Sequence, residues 1–376
     1  MDDKIKILIA SVLKPADDVR SCYKIGQSLA QTNKYEVNII GFDSKKKYHS
    51  ENIFLYPIFN FKRNSFKRLF APFSIFKKYI ELKPKLLIAN SAELLWVMYL
   101  IKILFGTKII YDIQENYQFN IEQNQIYKGL SKYILLSYIK LNENMSKYFV
   151  DGYFLAEEIY ETQLKFIQKK PFIKLLNKTI LNLNTDLKPI KFGKEQPLNF
   201  IYSGTIGKEY GTLETINFCK KLHEEKANIC LNIVGYSSDK EYLMRIIESA
   251  KNFEFIRIIT DNKPIAHSEI VAEIRKADIA LLPYQLNPNI KSRFPTKIYD
   301  YLALKTPMII PQHPKWKAFL DQYNAGIMVD YQKSEVKTTL EQLSSTEFYN
   351  NNPKAEIQWK SQEKELVNFI RKILSK

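Results

Sequence analysis

The sequence has 376 residues, 45% of them hydrophobic, which is longer than one hydrophobic core usually serves and therefore predicts two domains. Its formal net charge of +16 indicates an anionic partner, either a phosphorylated substrate, a phospholipid surface or nucleic acid. Three widely spaced cysteines fit neither a disulfide framework nor a zinc site, and the first residues lack the pattern of a secretory signal, so we expect a cytoplasmic protein.

Short apolar runs alternate with helical-period stretches along the first half of the chain, a pattern typical of a parallel sheet with crossover helices. The predicted strands are Ile5–Ala10, Val37–Phe42, Leu86–Ala89, Lys108–Asp112 and Tyr153–Leu155. The most apolar segment, Leu94–Ile110, is too short to span a bilayer and contains Lys102. We interpret it as a buried helix followed by a strand.

The second half of the chain shows the same alternation of apolar runs and helical-period stretches, which predicts a second series of strands. It comprises Asn199–Tyr202, Cys230–Val234, Glu254–Ile258, Ile279–Pro283 and Met308–Pro311. The stretch from Lys165 to Pro197 between the two series is rich in Lys, Asn and Pro and has weak periodicity. We therefore predict domains over residues 1–185 and 186–355, followed by a C-terminal segment, 356–376, that carries an amphipathic helix.

The positive charge is concentrated in the first half of the chain. Residues 1–190 hold 29 Lys and Arg against 18 Asp and Glu, and Phe61–Lys85 alone holds eight basic residues and one acid, interleaved with aromatics. Such a segment suits a peripheral contact with anionic lipid, with Pro72 dividing it into two short pieces or a loop. A helix that packs on the core and exposes a basic face explains the pattern equally well.

Polar residues follow the predicted strand Lys108–Asp112, where ligands of open parallel sheets collect. Asp112, Gln114 and Glu115 are candidates for a site at this edge. Capping of the next helix by Asn116 or a neighbour accounts for the same residues.

The stretch Ser203–Gly211 follows the first strand of the second series and contains three glycines. Glycines at a turn from strand to helix permit a close backbone approach to phosphate, and Lys208 adds positive charge. The spacing matches neither the dinucleotide fingerprint nor the P-loop, so an ordinary tight turn fits as well.

The most informative stretch is Lys291–Ile310, which is predicted to form a loop, a helix that has Pro295 in its first turn, and a strand. Ile298, Tyr301 and Leu302 form its apolar stripe, while Lys297 and Asp300 lie three residues apart on another face. With Arg293 nearby, these groups suit a nucleotide diphosphate, the basic residues near the phosphates and the carboxylate on the ribose hydroxyls. A solvated helix face with an internal ion pair is the alternative.

Together, these stretches resemble the retaining glycosyltransferases of family 4. The resemblance covers nearly the whole chain and rests on Asp-Asp-Val-Arg20, Tyr-Asp-Ile-Gln-Glu-Asn-Tyr117, Tyr-Ser-Gly-Thr-Ile-Gly207, Ile-Val-Gly235, Ala-Asp-Ile-Ala-Leu-Leu-Pro283 and Arg-Phe-Pro-Thr-Lys-Ile-Tyr-Asp-Tyr-Leu-Ala303. It implies an α/β protein of two facing Rossmann-like domains, the glycosyltransferase-B fold, with a C-terminal helix that crosses back to the first domain.

The resemblance also implies roles for particular residues. An acid of the family contacts the donor ribose, and basic groups contact the diphosphate. We assign catalytic roles to Arg293, Lys297, Gln114 and Glu115, and donor binding to Gly204, Thr205, Gly207, Lys208, Gly235 and Asp300.

Three positions depart from the family pattern. Relatives usually carry two glutamates eight positions apart, where this sequence has Ser292 and Asp300. Many have an arginine in place of Thr205, and a histidine in place of Gln114. Because glutamine keeps hydrogen-bonding ability but does not take up a proton, a mechanism that depends on that histidine is not expected here.

The resemblance implies transfer of a sugar from a nucleotide diphosphate donor, with retention, to a glycan or lipid-linked acceptor at the cytoplasmic membrane face. The donor is a substrate, and we expect no cofactor, no metal and no nucleic-acid partner. The four dispersed histidines are expected to be structural or solvated. A nucleotide-sugar epimerase and a catalytically silent binding or scaffold protein remain the competing hypotheses.

Overall fold

The computed structural model describes residues 4–43, 50–61, 65–123, 129–184, 197–225, 228–261, 264–333 and 336–376. The chain divides into two compact units, the first formed by Met1–Ile180 with Trp359–Lys376 and the second by Leu181–Gln358. Each unit holds one parallel sheet between helices, which confirms the predicted α/β class of two Rossmann-like domains.

The sheet of the first unit has seven parallel strands in the order β3-β2-β1-β4-β5-β6-β7. They are β1 (Ile5–Pro15), β2 (Tyr35–Phe42), β3 (Ile53–Phe59), β4 (Leu86–Ala89), β5 (Lys108–Ile113), β6 (Gly152–Leu155) and β7 (Phe172–Lys174). The central β1 places Ile9 opposite both Ile39 and Ile88. The next two strands, β4 and β5, are buried almost throughout, as their apolar runs predict.

Helices cover both faces of this sheet. They are α1 (Gln27–Ala30), which continues the π-helix Val19–Gly26, then α2 (Ala71–Leu82), α3 (Leu95–Phe105), α4 (Tyr117–Gln123), α5 (Gly129–Phe149) and α6 (Tyr160–Gln163), with 3-10 segments at Phe66–Phe70, Ala92–Leu94 and Lys165–Lys169. One apolar cluster joins the sheet to α2, α3 and α5, and another joins its opposite face to residues 19–30.

Pro72 lies in the first turn of α2, where a missing N–H removes no helix hydrogen bond. The described part of the basic segment forms two short pieces, the 3-10 segment Phe66–Phe70 and α2, as Pro72 predicts. One helix prediction needs correction. The helix over Leu94–Ile110 is only half buried: its inner residues pack on the sheet, whereas Tyr99, Leu100, Ile103, Leu104 and Phe105 are 40–61% exposed. Lys62 and Arg63 of the basic segment lie outside the described residues.

The second unit contains a six-stranded parallel sheet in the order β10-β9-β8-β11-β12-β13. The strands are β8 (Leu198–Thr205), β9 (Ile229–Tyr236), β10 (Ile256–Thr260), β11 (Ile279–Leu281), β12 (Met308–Ile310) and β13 (Gly326–Met328). Because β8 is central and parallel to both neighbours, the loop that follows it lies at the carboxyl edge of the sheet, where the candidate residues were predicted.

The helices of this unit are α7 (Thr212–Glu224), α8 (Lys240–Ala250), α9 (His267–Ile274), α10 (Pro288–Lys291), α11 (Lys297–Ala303), α12 (Pro314–Asp321) and α13 (Val336–Ser345), with 3-10 segments at Lys208–Tyr210 and Ala355–Ile357. The predicted apolar stripe of α11, Ile298, Tyr301 and Leu302, is fully buried. Pro295 lies two residues before α11 and not in its first turn, so this part of the prediction is wrong.

The last helix, α14 (Lys360–Leu374), returns to the first unit, as the fold prediction requires. Leu366, Phe369, Ile370 and Ile373 pack into the apolar cluster of the first unit, with the rings of Phe369 and Phe154 5.7 Å apart. Among the described residues, no helix combines the length and apolarity needed to cross a bilayer.

Candidate functional site

The loop after β8 depends on glycine at two positions where the backbone is crowded. Gly204 has φ +106°, and a Cβ at this position would overlap Cε and Nζ of Lys297. Gly235 lies opposite Gly204 at the end of β9, and a Cβ there would overlap the Gly204 carbonyl. These glycines therefore let the Lys297 side chain lie directly against the end of the central strand.

Lys297 is held among aromatic rings and not by an acid. Its Nζ lies 5.1 Å from the ring centre of Tyr202 and 5.5 Å from that of Tyr284. Burial lowers the pKa of this ammonium to about 7, and no carboxylate among the described residues offsets the effect. The side chain is therefore a cation that has lost water without gaining a negative partner.

Asp300, one turn further along α11, has a different partner. His267 Nε2 lies 2.9 Å from Asp300 Oδ2, at the start of α9. The side chains are 18% exposed for Asp300 and 30% for His267, so both remain accessible to a ligand. Since Lys297 and Asp300 have separate partners, the alternative of an internal ion pair on this helix is wrong.

The loop that carries Arg293 is held in place by side chains that contact its backbone carbonyls. Trp316 Nε1 donates to the Arg293 carbonyl at 3.0 Å, and His313 Nε2 lies 3.2 Å from the carbonyl of Lys291. Tyr301 Oη and Ser203 Oγ, 2.8 Å apart, connect α11 to β8. Arg293 thus lies four residues before Lys297 on an anchored loop, with its side chain half-buried.

The remaining loop residues differ in what they offer a ligand. The N–H of Gly207 donates to Thr212 Oγ1 at 3.2 Å, so in this conformation that amide is already used within the protein. Thr205 and Lys208 are exposed. Gly211, which has φ +70°, fits against the Pro283 carbonyl, where any Cβ would overlap. The loop is therefore a tightly built turn whose accessible positive groups come from side chains.

The second unit thus concentrates cationic groups and one carboxylate at the carboxyl edge of its sheet. An ammonium that lacks an acidic partner favours an incoming anion, because the anion restores the stabilisation that burial removed. The carboxylate of Asp300 accepts hydrogen bonds from hydroxyl groups. A ligand with phosphate oxygens and neighbouring hydroxyls satisfies both demands.

Gln114 lies in the first unit, at the end of β5, within a chain of polar contacts. Its Nε2 donates to Asp112 Oδ2 at 2.7 Å, and Lys14 Nζ donates to its Oε1. Asp112 is in turn bound by Arg20 at 2.6 Å, and both of these residues are almost fully buried. Arg20 Nη1 also donates to the Leu175 carbonyl at 2.6 Å, which leaves the amide of Gln114 in a fixed orientation.

Glu115 and Asn116 follow. The Asn116 Oδ1 accepts from the Phe119 N–H at 3.1 Å, which is the capping contact that the sequence offered as an alternative. Glu115 accepts from Asn120 Nδ2 at 3.0 Å and stays half-buried. Gln114 and Glu115 belong to the first unit, and the other predicted site residues belong to the second.

Three features of the second unit were not predicted from the sequence. The first is the contact of His267 with Asp300, and the second is the aromatic surround of Lys297. The third is a buried oxygen of Glu214, Oε2, which has no hydrogen-bond partner among the described residues, while Oε1 accepts from Gln285 at 2.7 Å. No spacing rule connects residues that are 33 and 71 positions apart in the chain.

Two other histidines behave as expected. His313 caps α12 and stacks on Trp316, with ring centres 4.2 Å apart, and His223 stacks on Phe255. His49 lies outside the described residues. Within the described ranges, no cluster of three His, Cys, Asp or Glu side chains has the geometry to hold a metal ion.

Residues 184–361 match a family model described as glycosyl transferases group 1. The match covers the unit that contains Lys297 and Asp300. No curated protein sequence is significantly similar to the chain.

Solved structures share the fold over the whole chain. Sucrose-phosphate synthase from Thermosynechococcus elongatus has a TM-score of 0.73 at 13% identity, covering 99% of this chain and 100% of that one. HepE of Anabaena, solved with UDP and glucose, has a TM-score of 0.67 at 12% identity, covering 98% and 100%. A glycosyltransferase from Rickettsia africae has a TM-score of 0.64 at 13% identity, covering 99% of both chains. The chain therefore has the glycosyltransferase-B fold.

Proposed function

We propose that this chain, whose second unit matches glycosyl transferases group 1, transfers a sugar from a nucleotide diphosphate donor to an acceptor. The observation that carries the proposal is Lys297, a partly buried ammonium that faces two aromatic rings and has no carboxylate partner in the described part of the chain. A donor diphosphate supplies the missing negative charge.

The chemistry follows from the charge that develops during transfer. When the bond between sugar and phosphate breaks, negative charge grows on the leaving diphosphate. Lys297 stabilises this charge at little reorganisation cost, because its position is fixed by Gly204 and the rings before the reaction begins. Arg293, four residues before Lys297, and Lys208, in the loop after β8, add further positive charge.

Asp300 binds the donor ribose in this proposal. His267 orients the carboxylate, which is one methylene shorter than the glutamate of most relatives of the resembled family. A carboxylate held in this way accepts hydrogen bonds from two neighbouring hydroxyls, so that the nucleoside and the diphosphate are fixed together.

The resemblance to family 4 supports transfer with retention, in which the departing phosphate deprotonates the acceptor on the same face of the sugar. In this proposal, Gln114 and Glu115 lie close to the sugar that is transferred. Gln114 acts there as a hydrogen-bonding residue, because its amide is held by Lys14 and Asp112 and takes up no proton. The acceptor is a glycan or a lipid-linked sugar at the cytoplasmic face of a membrane.

The proposal is tested by incubating the protein with UDP-, GDP- and ADP-sugars, with and without a panel of glycan and lipid-linked acceptors, and measuring nucleoside diphosphate release. We expect one donor to release its nucleotide only when an acceptor is present. Lys297→Met should lower that rate by about 10²-fold, the effect of removing one charge-stabilising group.

Two outcomes would contradict the proposal. An isomeric nucleotide sugar formed without any acceptor indicates an epimerase. Donor binding without release across the whole panel indicates a silent binding protein, which the departures at Ser292, Thr205 and Gln114 would then explain.

A further inference from the structure

Three helical segments of the first unit expose an unusual number of large apolar side chains. The first is formed by Phe66–Phe70 and α2, which follow one another directly; the second is α3, and the third is α5. Together they are called the three-helix face. Their exposed apolar residues are Phe66, Leu69, Phe70, Phe73, Ile80, Tyr99, Leu100, Ile103, Leu104, Phe105, Leu130, Tyr133, Ile134, Tyr138, Leu141, Met145 and Tyr148. Isolated exposed apolar residues are normal on a protein surface, but a group of this size marks an interaction site.

The exposed residues lie on neighbouring helices and therefore form one surface. Between α2 and α3, the rings of Phe73 and Trp96 are 5.3 Å apart. Between α3 and α5, the rings of Tyr99 and Phe149 are 5.4 Å apart. The central helix α3 thus contacts both of the others.

Helix α5 shows most clearly that the outer apolar face is separate from the core. Its inner face packs on the sheet through Ile139 and Phe149. Its outer residues recur at intervals of three and four, at positions 130, 134, 138, 141, 145 and 148, and are 42–75% exposed. Such spacing places them in one stripe along the helix, where a surface helix ordinarily has polar residues.

The charges on the three-helix face are predominantly positive. Phe66–Phe70, α2, α3 and α5 together contain eight Lys and Arg against two acids, Glu81 and Glu143. Glu143 is buried, where it accepts from Gln118 at 2.6 Å and burial raises its pKa to about 7. Glu81 forms an ion pair with Lys78. Just outside these segments, Glu93, Asp151 and Glu122 pair with Arg68, Lys102 and Lys140. The positive charge that these pairs leave on the face comes from Lys67, Lys77, Lys132 and Lys147.

We propose that the three-helix face docks on an anionic phospholipid bilayer, with its aromatic and aliphatic side chains in the interfacial layer and its lysines among the headgroups. Apolar side chains interleaved with cations match a surface that offers both anionic headgroups and hydrocarbon. A second copy of the same face would bring positive charges against one another, which opposes self-association through a two-fold interface.

The surface extends beyond the basic segment singled out in the sequence, since α3 and α5 supply most of its apolar residues. It does not depend on the nucleotide chemistry of the second unit. It adds to the proposed function the location at which a lipid-linked acceptor would be met.

The test is sedimentation of the full chain with phosphatidylcholine vesicles that contain or lack phosphatidylglycerol. We expect binding to the anionic vesicles. Two double variants, Ile103→Ser with Leu104→Ser and Ile134→Ser with Leu141→Ser, should each weaken it by about tenfold or more, because each removes several buried methylenes from the contact. Replacing the exposed Lys67 and Lys77 by Gln should weaken it by about fivefold per lysine.

A matched control is available in the second unit. Met244 and Ile247 of α8 are 63% and 38% exposed, so replacing both by Ser removes comparable apolar surface elsewhere in the chain. This variant should bind vesicles like the wild type. Thermal unfolding and nucleotide affinity of all variants should match the wild type, which separates a failure of membrane docking from a failure of the donor site.

Fluorescence gives an independent readout. Trp96 is half-buried beside Phe73, whereas Trp316 and Trp359 are buried in other parts of the chain. Brominated phosphatidylglycerol should quench the emission of Trp96, and Trp96→Phe should remove the quenched component.

The proposal is overturned if the chain does not sediment with anionic vesicles, or if the serine variants sediment as well as the wild type. It is also overturned if sedimentation velocity shows a dimer that these variants dissociate while no vesicle binding occurs, because the face is then a protein interface.

Discussion

Lys297 illustrates how the environment of one residue sets its chemistry. A lysine in water keeps its charge far above neutral pH, but the rings of Tyr202 and Tyr284 replace water around this one without replacing its hydration energy. With a pKa of about 7, Lys297 loses its proton readily near neutral pH unless an anion binds beside it. Binding of a diphosphate and protonation of Lys297 are therefore coupled.

This coupling predicts a pH dependence of donor affinity. Below pH 7 the ammonium is already charged, and affinity for a nucleotide sugar should be constant. Above pH 7 the free protein loses this proton and must regain it on binding, so affinity should fall by up to about tenfold per pH unit. Calorimetry in two buffers with different ionisation enthalpies should show proton uptake at pH 8.

Lys297→Met should abolish both the slope and the proton uptake. Lys251→Met, at an exposed position of the same unit, is the control and should retain them. An unchanged slope in Lys297→Met would show that another group carries the dependence.

At this scale the sequence identified residues better than it identified their contacts. Arg293, Lys297 and Asp300 stood out because they share a short motif, and the motif lies where the sheet topology places ligands. The contacts of Asp300 with His267 and of Lys297 with two tyrosines join distant parts of the chain. Only the packing of α9 and α11 at the end of β8 brings them together.

At the scale of elements, α14 shows what the spacing of apolar residues predicts and what it leaves open. The spacing of Leu366, Phe369, Ile370 and Ile373 predicts an amphipathic helix, which the structure contains. That the apolar stripe belongs to the first unit came from the family resemblance, since periodicity does not reveal which surface a helix covers. Its contact with Phe154 of β6 supplies the physical reason.

Leu366→Ala should therefore destabilise the first unit. Leu366 is fully buried, and truncation of such a side chain costs about 2–5 kcal/mol through lost burial and the cavity left behind. Denaturant unfolding followed by circular dichroism measures the change. Glu365→Ala, an exposed neighbour on α14, is the control, and an equal stability of Leu366→Ala and wild type would show that α14 does not stabilise the unit.

The strands missed by the sequence analysis, β3, β7 and β13, all lie at an edge of their sheet, although the edge strand β10 was predicted. The strands β1, β4 and β8 are largely buried apolar runs, which the sequence pattern identifies as strands. The edge strand β3 contains Pro57, and β7 and β13 have three residues each. The strands β11 and β12 are equally short, but they lie inside longer apolar runs of the sequence. The exposed face of α3 was missed because an apolar sequence does not distinguish residues buried in a core from residues that face a partner.

At the scale of the molecule, the two units have different surface chemistry. The first unit carries the three-helix face, and the first 190 residues carry +11 of the net charge of +16. The second unit holds the cluster at the end of β8 and the match to glycosyl transferases group 1. We therefore infer a division of roles in which the first unit serves the membrane and the acceptor, and the second binds the donor.

The most direct test of the donor site is a calorimetric titration of the wild type, Lys297→Met and Asp300→Asn with the nucleotide sugar that the wild type prefers. Each substitution should weaken binding by about 1–3 kcal/mol, the cost of losing a charge-assisted contact, whereas Lys251→Met should bind like the wild type. Unchanged affinity in both Lys297→Met and Asp300→Asn would contradict the claim that this cluster binds the donor.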